Sequence, residues 1–374
     1  MTKSLITRPG MRARILLGAG ALLTAILGIW FVARPAARER FFDPYALAPI
    51  TLTPAPVSGL VLIVTAVLGL AAVLALISNR SRRFVIAVAI AETLVYLLVL
   101  CGSTLVMLLG YLLAGLVPIG VVVVLALACR RFVVMRYLTV LIVALVGLWG
   151  YLTQTLAPSG ILHLLSQIAQ ALVDQRSTIL TMLSCVALAT GWALLVRGMS
   201  HQTPALITAA AFVRRHRRLF TYAAAACPLP YVLMRLTWLT PWQQFTPTDM
   251  TAELRLWGLL LGGAAVLGGV LTLGLIRQWG VTFPRWIPRL AGQSVPTKLA
   301  VIPGLTVAAI MTSAAAPMIM MAARDEMPAH AALVLTLVVF PFWLWGPSLA
   351  LAVWGYAADR QPRLTADAQR VPVA

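Results

Sequence analysis

The chain has 374 residues, of which 61% are hydrophobic and only 10% are charged. Soluble domains carry about 25% charged residues, and a mean hydropathy of +0.94 leaves too little polar surface for a water-soluble fold. These numbers exclude a soluble globular protein, a disordered chain and a disulfide scaffold. The predicted fold class is an all-α, polytopic helical membrane protein.

Ten apolar runs follow one another along the chain, each near the roughly 20 residues that a spanning helix needs. The first run follows four basic residues, and no convincing cleavage site comes after it, so we interpret it as an uncleaved anchor. The stretch 84–128 is too long for one span and is divided at Cys101-Gly102-Ser103. The predicted spans are 15–33, 57–77, 84–101, 104–128, 133–153, 178–197, 219–239, 256–276, 299–321 and 331–357.

The spans form one transmembrane domain, 15–357, between an N-terminal segment, 1–14, and a tail, 358–374. With the N-terminus in the cytoplasm, 22 of the 29 basic residues fall in cytoplasmic segments and seven of the ten acidic residues fall outside. This asymmetry follows the positive-inside rule. It predicts a plasma-membrane protein with both termini cytoplasmic. The segment 161–173 between two spans has helical apolar spacing and is predicted to lie on the outer leaflet.

The net charge of +19 is concentrated in clusters at the predicted cytoplasmic ends of the spans. Such clusters attract anionic lipid headgroups. No nucleic-acid partner is expected, because the chain has no basic domain with interleaved aromatic residues. The clusters are Arg82-Arg83, Arg130-Arg131 and the run from Arg214 to Arg218.

Two ionisable residues lie inside predicted spans, where charge is costly. Glu92 is near the middle of the third span, and Arg235 is in the seventh, nearer its outer end. The functional interpretation is a proton relay or a substrate-coordinating pair. The alternative is a structural hydrogen bond between helices, with Arg235 extending toward the outer interface.

Two prolines, Pro228 and Pro230, lie in the seventh span. Proline interrupts the helical hydrogen-bond ladder, and interrupted membrane helices line many transport sites. A cavity-lining role and a simple helix kink are both open.

The eighth span is rich in glycine, and Gly258 and Gly262 have the G-x-x-x-G spacing that permits close helix packing. The partner helix could belong to the same chain, to another membrane protein or to a second copy.

The loop that follows this span, 277–296, contains two tryptophans, several arginines and three prolines, and it is called here the tryptophan loop. The prolines exclude a long helix. We expect Trp279, Phe283, Arg285 and Trp286 to dock this loop against lipid or a partner protein.

A resemblance accompanies these segments. The sequences Pro228-Leu229-Pro230-Tyr231, Leu256-Trp257-Gly258 and Phe283-Pro284-Arg285-Trp286 resemble a class of uncharacterised multi-pass membrane proteins of actinobacteria, over roughly 220–300. The resemblance implies an actinobacterial plasma-membrane origin and implies no activity.

No catalytic motif, cofactor-binding motif or metal-ligand spacing is present, so no cofactor and no metal are expected. The four cysteines lie in or beside apolar runs, so we expect them to be ordinary small buried residues. Acidic pairs occur outside the membrane only at Asp249 and Glu253 and at Asp325 and Glu326.

Three classes of function remain. A transporter-like or permease-like protein is favoured by Glu92, the double proline and the lack of catalytic motifs. A non-catalytic membrane assembly component would use the glycine-rich span and the tryptophan loop. A membrane-embedded enzyme acting on a lipid-linked substrate would use the outer acidic pairs.

Overall fold

The computed structural model describes residues 11–36, 38, 47–78, 81–131, 133–152, 158–199, 204–240, 250–285, 290–324 and 328–368. Regular structure in these ranges is helical, apart from one antiparallel bridge between Thr282 and Ser294. The predicted all-α class is confirmed.

The helices follow the apolar runs and are numbered here in chain order. They are α1 Met11–Ala33, α2 Ala55–Ile77, α3 Arg82–Leu94, α4 Thr104–Arg131, α5 Val133–Leu152, α6 Pro158–Asp174, α7 Arg176–Met199, α8 Pro204–Arg215, α9 Arg217–Ala226, α10 Leu229–Leu236, α11 Ala252–Leu273, α12 Thr297–Ser313, α13 Ala315–Arg324, α14 Ala329–Val334 and α15 Phe342–Ala368. Two π-helical segments, Val95–Leu100 and Leu335–Val339, continue α3 and α14.

Eight segments of the described residues are long and apolar enough to cross a membrane, which makes this a multi-pass membrane protein. They are Arg14–Ala33, Ala55–Ile77, Arg82–Leu100, Arg176–Val196, Arg217–Leu239, Leu254–Leu273, Thr297–Ala323 and His330–Arg360. Each coincides with a predicted span. The other two predicted spans, 104–128 and 133–153, form α4 and α5, which are not among the eight, so the count of ten stays a prediction.

Prolines divide three of the spans into shorter helices. Pro228 follows the end of α9, Pro317 lies in the first turn of α13, and Pro341 precedes α15. Proline has no backbone N–H and its ring collides with the preceding turn, so a helix tends to end before it and a new one to begin around it. The amphipathic segment 161–173 lies within α6, and its position on the outer leaflet stays a prediction.

The helices pack in two groups with a shared boundary. In the first group α1 packs along α2, and α3 packs between α2 and α7. Its core is filled by large buried side chains: Phe31, Leu62, Tyr96, Leu105, Met182 and Trp192. In the second group α15 packs against α9 and α12 around Ala224, Val353 and Tyr356. The first group holds Glu92 and the second anchors the tryptophan loop.

Candidate functional site

Glu92 lies on the buried face of α3 and is only 2% exposed. Its carboxyl faces Gly69 of α2, where a Cβ atom would lie 3.2 Å from Glu92 Oε1 and 3.4 Å from the Cβ of Ala21 on α1. The absence of a side chain at Gly69 therefore makes room for the carboxyl. Among the described residues, Glu92 Oε2 is buried without a hydrogen-bond partner.

A second polar group lies one helical turn from Glu92. Tyr96 is buried, and its hydroxyl shares a hydrogen bond of 2.8 Å with Thr24 Oγ1 on α1. Thr24 also donates to the backbone carbonyl of Gly20 at 2.9 Å. Tyr96 follows Glu92 by four residues, so the two side chains share one face of the helix. We call Thr24, Gly69, Glu92 and Tyr96 the Glu92 cluster.

Arg235 does not pair with Glu92 and belongs to a different part of the bundle. Its guanidinium lies over the Trp238 ring, 4.0 Å from the centroid, and 5.0 Å from the centroid of Tyr231. This stacking holds the cation beside aromatic faces at the junction of α10 and α11. Glu92 is instead enclosed by α1 and α2. Glu92 and Arg235 therefore each lie against their own neighbours.

Pro228 and Pro230 divide their span at the junction of α9 and α10. Pro228 is fully buried at the break, and Pro230 lies in the first turn of α10. Gly269 of α11 approaches this break so closely that a Cβ there would lie 3.0 Å from the Ala225 carbonyl oxygen and 3.5 Å from Pro228. The break is thus packed against a glycine of the neighbouring helix.

Gly258 and Gly262 face neighbours in the same chain. A Cβ at Gly258 would overlap the ring of Trp238, and one at Gly262 would lie 3.5 Å from the Arg235 Cβ. The G-x-x-x-G face of α11 is therefore occupied by α10 and the turn that follows it.

The tryptophan loop is ordered by backbone bonds at its base. The Phe283 amide donates to Gln293 at 2.9 Å, and the Val295 amide donates to Val281 at 2.8 Å. Trp279 packs over Gly274, while Phe283 is half-buried and Arg285 is exposed. Trp286 lies outside the described residues.

Two side chains of α15 fasten this loop. The Tyr356 hydroxyl donates to the Gly280 carbonyl at 2.8 Å. Arg360, only 7% exposed, donates to the carbonyls of Val281 and Val295. The buried guanidinium is thus satisfied in part by backbone oxygens, and the loop is held to the end of the last helix.

A cavity of about 220 Å³ lies between α3, α7, α12 and α15. Its lining is almost entirely apolar, with Thr93 as its single hydroxyl. The lining residues belong to the second half of α3, the first half of α12, the last third of α7 and the middle of α15. Glu92, Pro228 and Pro230 do not line it.

The acidic residues expected for a lipid-linked enzyme fall outside what the structure describes. Asp249, Asp325 and Glu326 lie outside the described residues, and no side chain is described for Glu253. Across the described part of the chain, no three side chains of His, Cys, Asp or Glu gather as metal ligands would.

Several residues of these sites escaped sequence reasoning. Thr24, Gly69 and Tyr96 are common residues in apolar helices, and only their meeting around Glu92 gives them meaning. Arg360 lies in the segment 358–374, which the sequence predicts to be a tail beyond the last span. A signal was available for Tyr96, which lies four residues after Glu92 and therefore on the same helical face.

The chain was compared with protein-family models, with curated proteins and with solved structures, and none of them matches. What the site can do therefore rests on its own residues.

Proposed function

We propose that this protein is a transporter-like or permease-like protein of the plasma membrane in which Glu92 carries a proton. One observation supports this proposal above the others: a carboxyl group buried in a membrane-spanning helix, with one oxygen lacking a hydrogen-bond partner among the described residues. Ionisable residues inside membrane helices are costly and commonly mark substrate or proton pathways.

The depth of Glu92 fits this role. Ten residues separate it from the start of α3, which is about 15 Å at 1.5 Å per residue. The hydrocarbon core is about 30 Å thick, so the carboxyl lies near the midplane. Transporters commonly place substrate and coupling-ion sites at this depth.

The surroundings of Glu92 favour a carboxyl that holds a proton. The neutral acid is much cheaper to bury in an apolar core than the carboxylate. The Tyr96 hydroxyl, which is hydrogen-bonded to Thr24, belongs to a residue four positions after Glu92 and therefore on the same helical face. We infer that the Tyr96 and Thr24 hydroxyls shorten the route by which a proton reaches Glu92 from the side of the membrane where α3 and its π-helical extension end.

The proposal is tested with purified protein reconstituted in liposomes that contain a pH-sensitive dye. Candidate solutes are added in an imposed pH gradient, and the test solute is one that moves with protons in the wild type. Glu92→Gln keeps the shape of the side chain but cannot exchange a proton, and it is expected to abolish solute-linked proton movement. Asp174→Asn, which removes an exposed carboxyl at the end of α6, is the control and should keep wild-type rates.

Two outcomes would contradict the proposal. One is unchanged proton-linked uptake by Glu92→Gln. The other is that no class of solute moves protons with the wild-type protein. The control for this outcome is that an added protonophore collapses the pH gradient in the same liposomes.

The alternatives have less support. An assembly component was expected to use Gly258 and Gly262, but these residues pack against Trp238 and Arg235 of the same chain. A lipid-linked enzyme depends on acidic residues outside the described side chains.

The orientation and origin are part of the same proposal. The distribution of basic residues supports cytoplasmic termini, and the clusters at Arg82-Arg83, Arg130-Arg131 and Arg214–Arg218 would contact anionic headgroups. The resemblance over 220–300 supports an actinobacterial plasma membrane.

A further inference from the structure

The cavity between α3, α7, α12 and α15, called here the α3–α12 crevice, has the properties of a lipid-binding site. We propose that it holds an acyl chain of an anionic phospholipid whose phosphate is bound by Arg83 and Lys298. This inference is independent of the proposed transport function.

The crevice is suited to an acyl chain and not to water. Its single polar lining residue, Thr93, donates its hydroxyl to the Ala89 carbonyl at 2.7 Å and so is already satisfied. Apolar cavities of roughly 150 Å³ stay dry and accept apolar ligands, and this one measures about 220 Å³.

The crevice opens toward the surface that faces lipid. Ile90 and Leu94 on its wall are 45% and 48% exposed, whereas Val301 and Val353 at its base are buried. All of these residues belong to membrane-spanning segments. A chain from the surrounding bilayer can therefore enter sideways without crossing polar protein surface.

Two cations lie on the same helical faces as the crevice wall. Arg83 precedes Ile90 by seven residues, and Lys298 precedes Val301 by three, so each shares a face of its helix with the lining residue. At 1.5 Å per residue, these offsets are roughly 10 Å and 4.5 Å. Both side chains are exposed, which leaves them accessible to a headgroup.

The charges also specify the kind of lipid. Arg83 and Lys298 are both the second residue of their helices, and the predicted topology has both helices starting on the cytoplasmic side. A phospholipid with its chain in the crevice would bring its phosphate to this level. Two cations and no described acidic side chain among the lining residues favour an anionic lipid over a zwitterionic one.

The first experiment maps contacts on the unmodified protein. Vesicles of phosphatidylcholine containing one quarter phosphatidylglycerol receive a trace of phosphatidylglycerol with a photoreactive acyl chain, and labelled peptides are identified by mass spectrometry. Labelling is expected to be concentrated on peptides from α3, α12 and α15 that line the crevice. Labelling spread evenly over exposed apolar helices such as α5 would overturn the proposal, as would protein-to-protein cross-links through the crevice.

Variants then distinguish binding of the acyl chain from binding of the lipid headgroup. Leu305→Trp fills the crevice and is expected to reduce crevice labelling by at least about tenfold, whereas Leu299→Trp, on the exposed opposite face of α12, should not. Arg83→Gln with Lys298→Gln should weaken phosphatidylglycerol labelling by roughly tenfold and leave a phosphatidylcholine probe unchanged.

The matched control for charge is Arg136→Gln with Arg218→Gln, two exposed arginines away from the crevice. Equal losses in the two charge pairs would show general attraction to the membrane surface and overturn the headgroup assignment. Equal labelling of Leu305→Trp and Leu299→Trp would overturn the assignment of the crevice as the binding site of the acyl chain. Both proteins carry the same new side chain, so a general loss of folding caused by tryptophan would be visible in both.

Discussion

Gly28 of α1 and Gly59 of α2 cross backbone to backbone. A Cβ atom on Gly28 would lie 2.7 Å from the Gly59 carbonyl oxygen, and one on Gly59 would lie 2.6 Å from the Gly28 carbonyl oxygen. Association of membrane helices depends on such close approach, because lipid removes the hydrophobic drive between them. This crossing joins the two helices whose Ala21 and Gly69 come together beside Glu92.

Gly28→Ala is expected to lower stability by about 1–3 kcal/mol, because the added methyl meets backbone that cannot rotate away. Thermal unfolding of the detergent-solubilised protein measures the effect. Gly18→Ala on the same helix is the control, since its Cβ would meet only Val73 at an ordinary 3.8 Å. Equal transition temperatures for the two variants would contradict the tight crossing.

Glu92→Leu separates a functional from a structural carboxyl. Removing a buried polar group that has an unsatisfied oxygen is expected to leave stability unchanged or to raise it by about 1 kcal/mol, while transport is lost. The transition temperature and the uptake rate are measured on the same preparation. A loss of several degrees would show that the Glu92 carboxyl stabilises the fold, and would count against the proton-carrier role.

Gly258→Val tests the packing of Trp238 on α11. The new side chain would occupy the space of the indole ring, so Trp238 must leave and its stacking with Arg235 is broken. We expect a loss of about 1–3 kcal/mol. Gly263→Val on the exposed side of the same helix has nothing within 4 Å of its Cβ and should be tolerated. Similar losses in both would point to helix propensity instead of the ring contact.

The sequence contained most of the spans, because length and hydropathy are local properties. The Gly28–Gly59 crossing could not be predicted from the sequence, because neither glycine belongs to a spacing motif. The two come together only when α1 packs along α2. Gly258 and Gly262 show the reverse case: the motif was visible, but whether its partner was an aromatic ring or another backbone was not. Glu92 was found because charge is rare in a span, whereas the groups around it are ordinary.

The anchoring of the tryptophan loop gives a prediction about proteolysis. Arg360→Met removes donors from the carbonyls of Val281 and Val295. The Val281 oxygen keeps the Val295 amide as its donor, whereas the Val295 oxygen loses the guanidinium. We expect the loop to open and trypsin to cleave between 277 and 298 several times faster in membranes that expose this side. Tyr356→Phe, which removes one bond worth about 1 kcal/mol, should have a smaller effect in the same direction.

The control for this prediction is Arg218→Met, an exposed arginine on α9 that does not contact the loop. It should show wild-type cleavage between 277 and 298. A loop that is cleaved at the wild-type rate in Arg360→Met would mean that the backbone pairs at Phe283 and Val295 hold it without help from α15.

The number of spans depends on whether α4 and α5 cross the membrane. In a variant with the four native cysteines replaced, single cysteines are introduced at Arg130 and Leu152, and an impermeant maleimide is added to intact cells. If both helices cross, Arg130→Cys is labelled only after permeabilisation and Leu152→Cys is labelled at once. Ser78→Cys, directly after α2, gives the inside reference, and Ser177→Cys, at the beginning of α7, gives the outside reference. Labelling of both positions 130 and 152 without permeabilisation would reduce the protein to eight spans, because a pair of helices that does not cross leaves the remaining orientation unchanged.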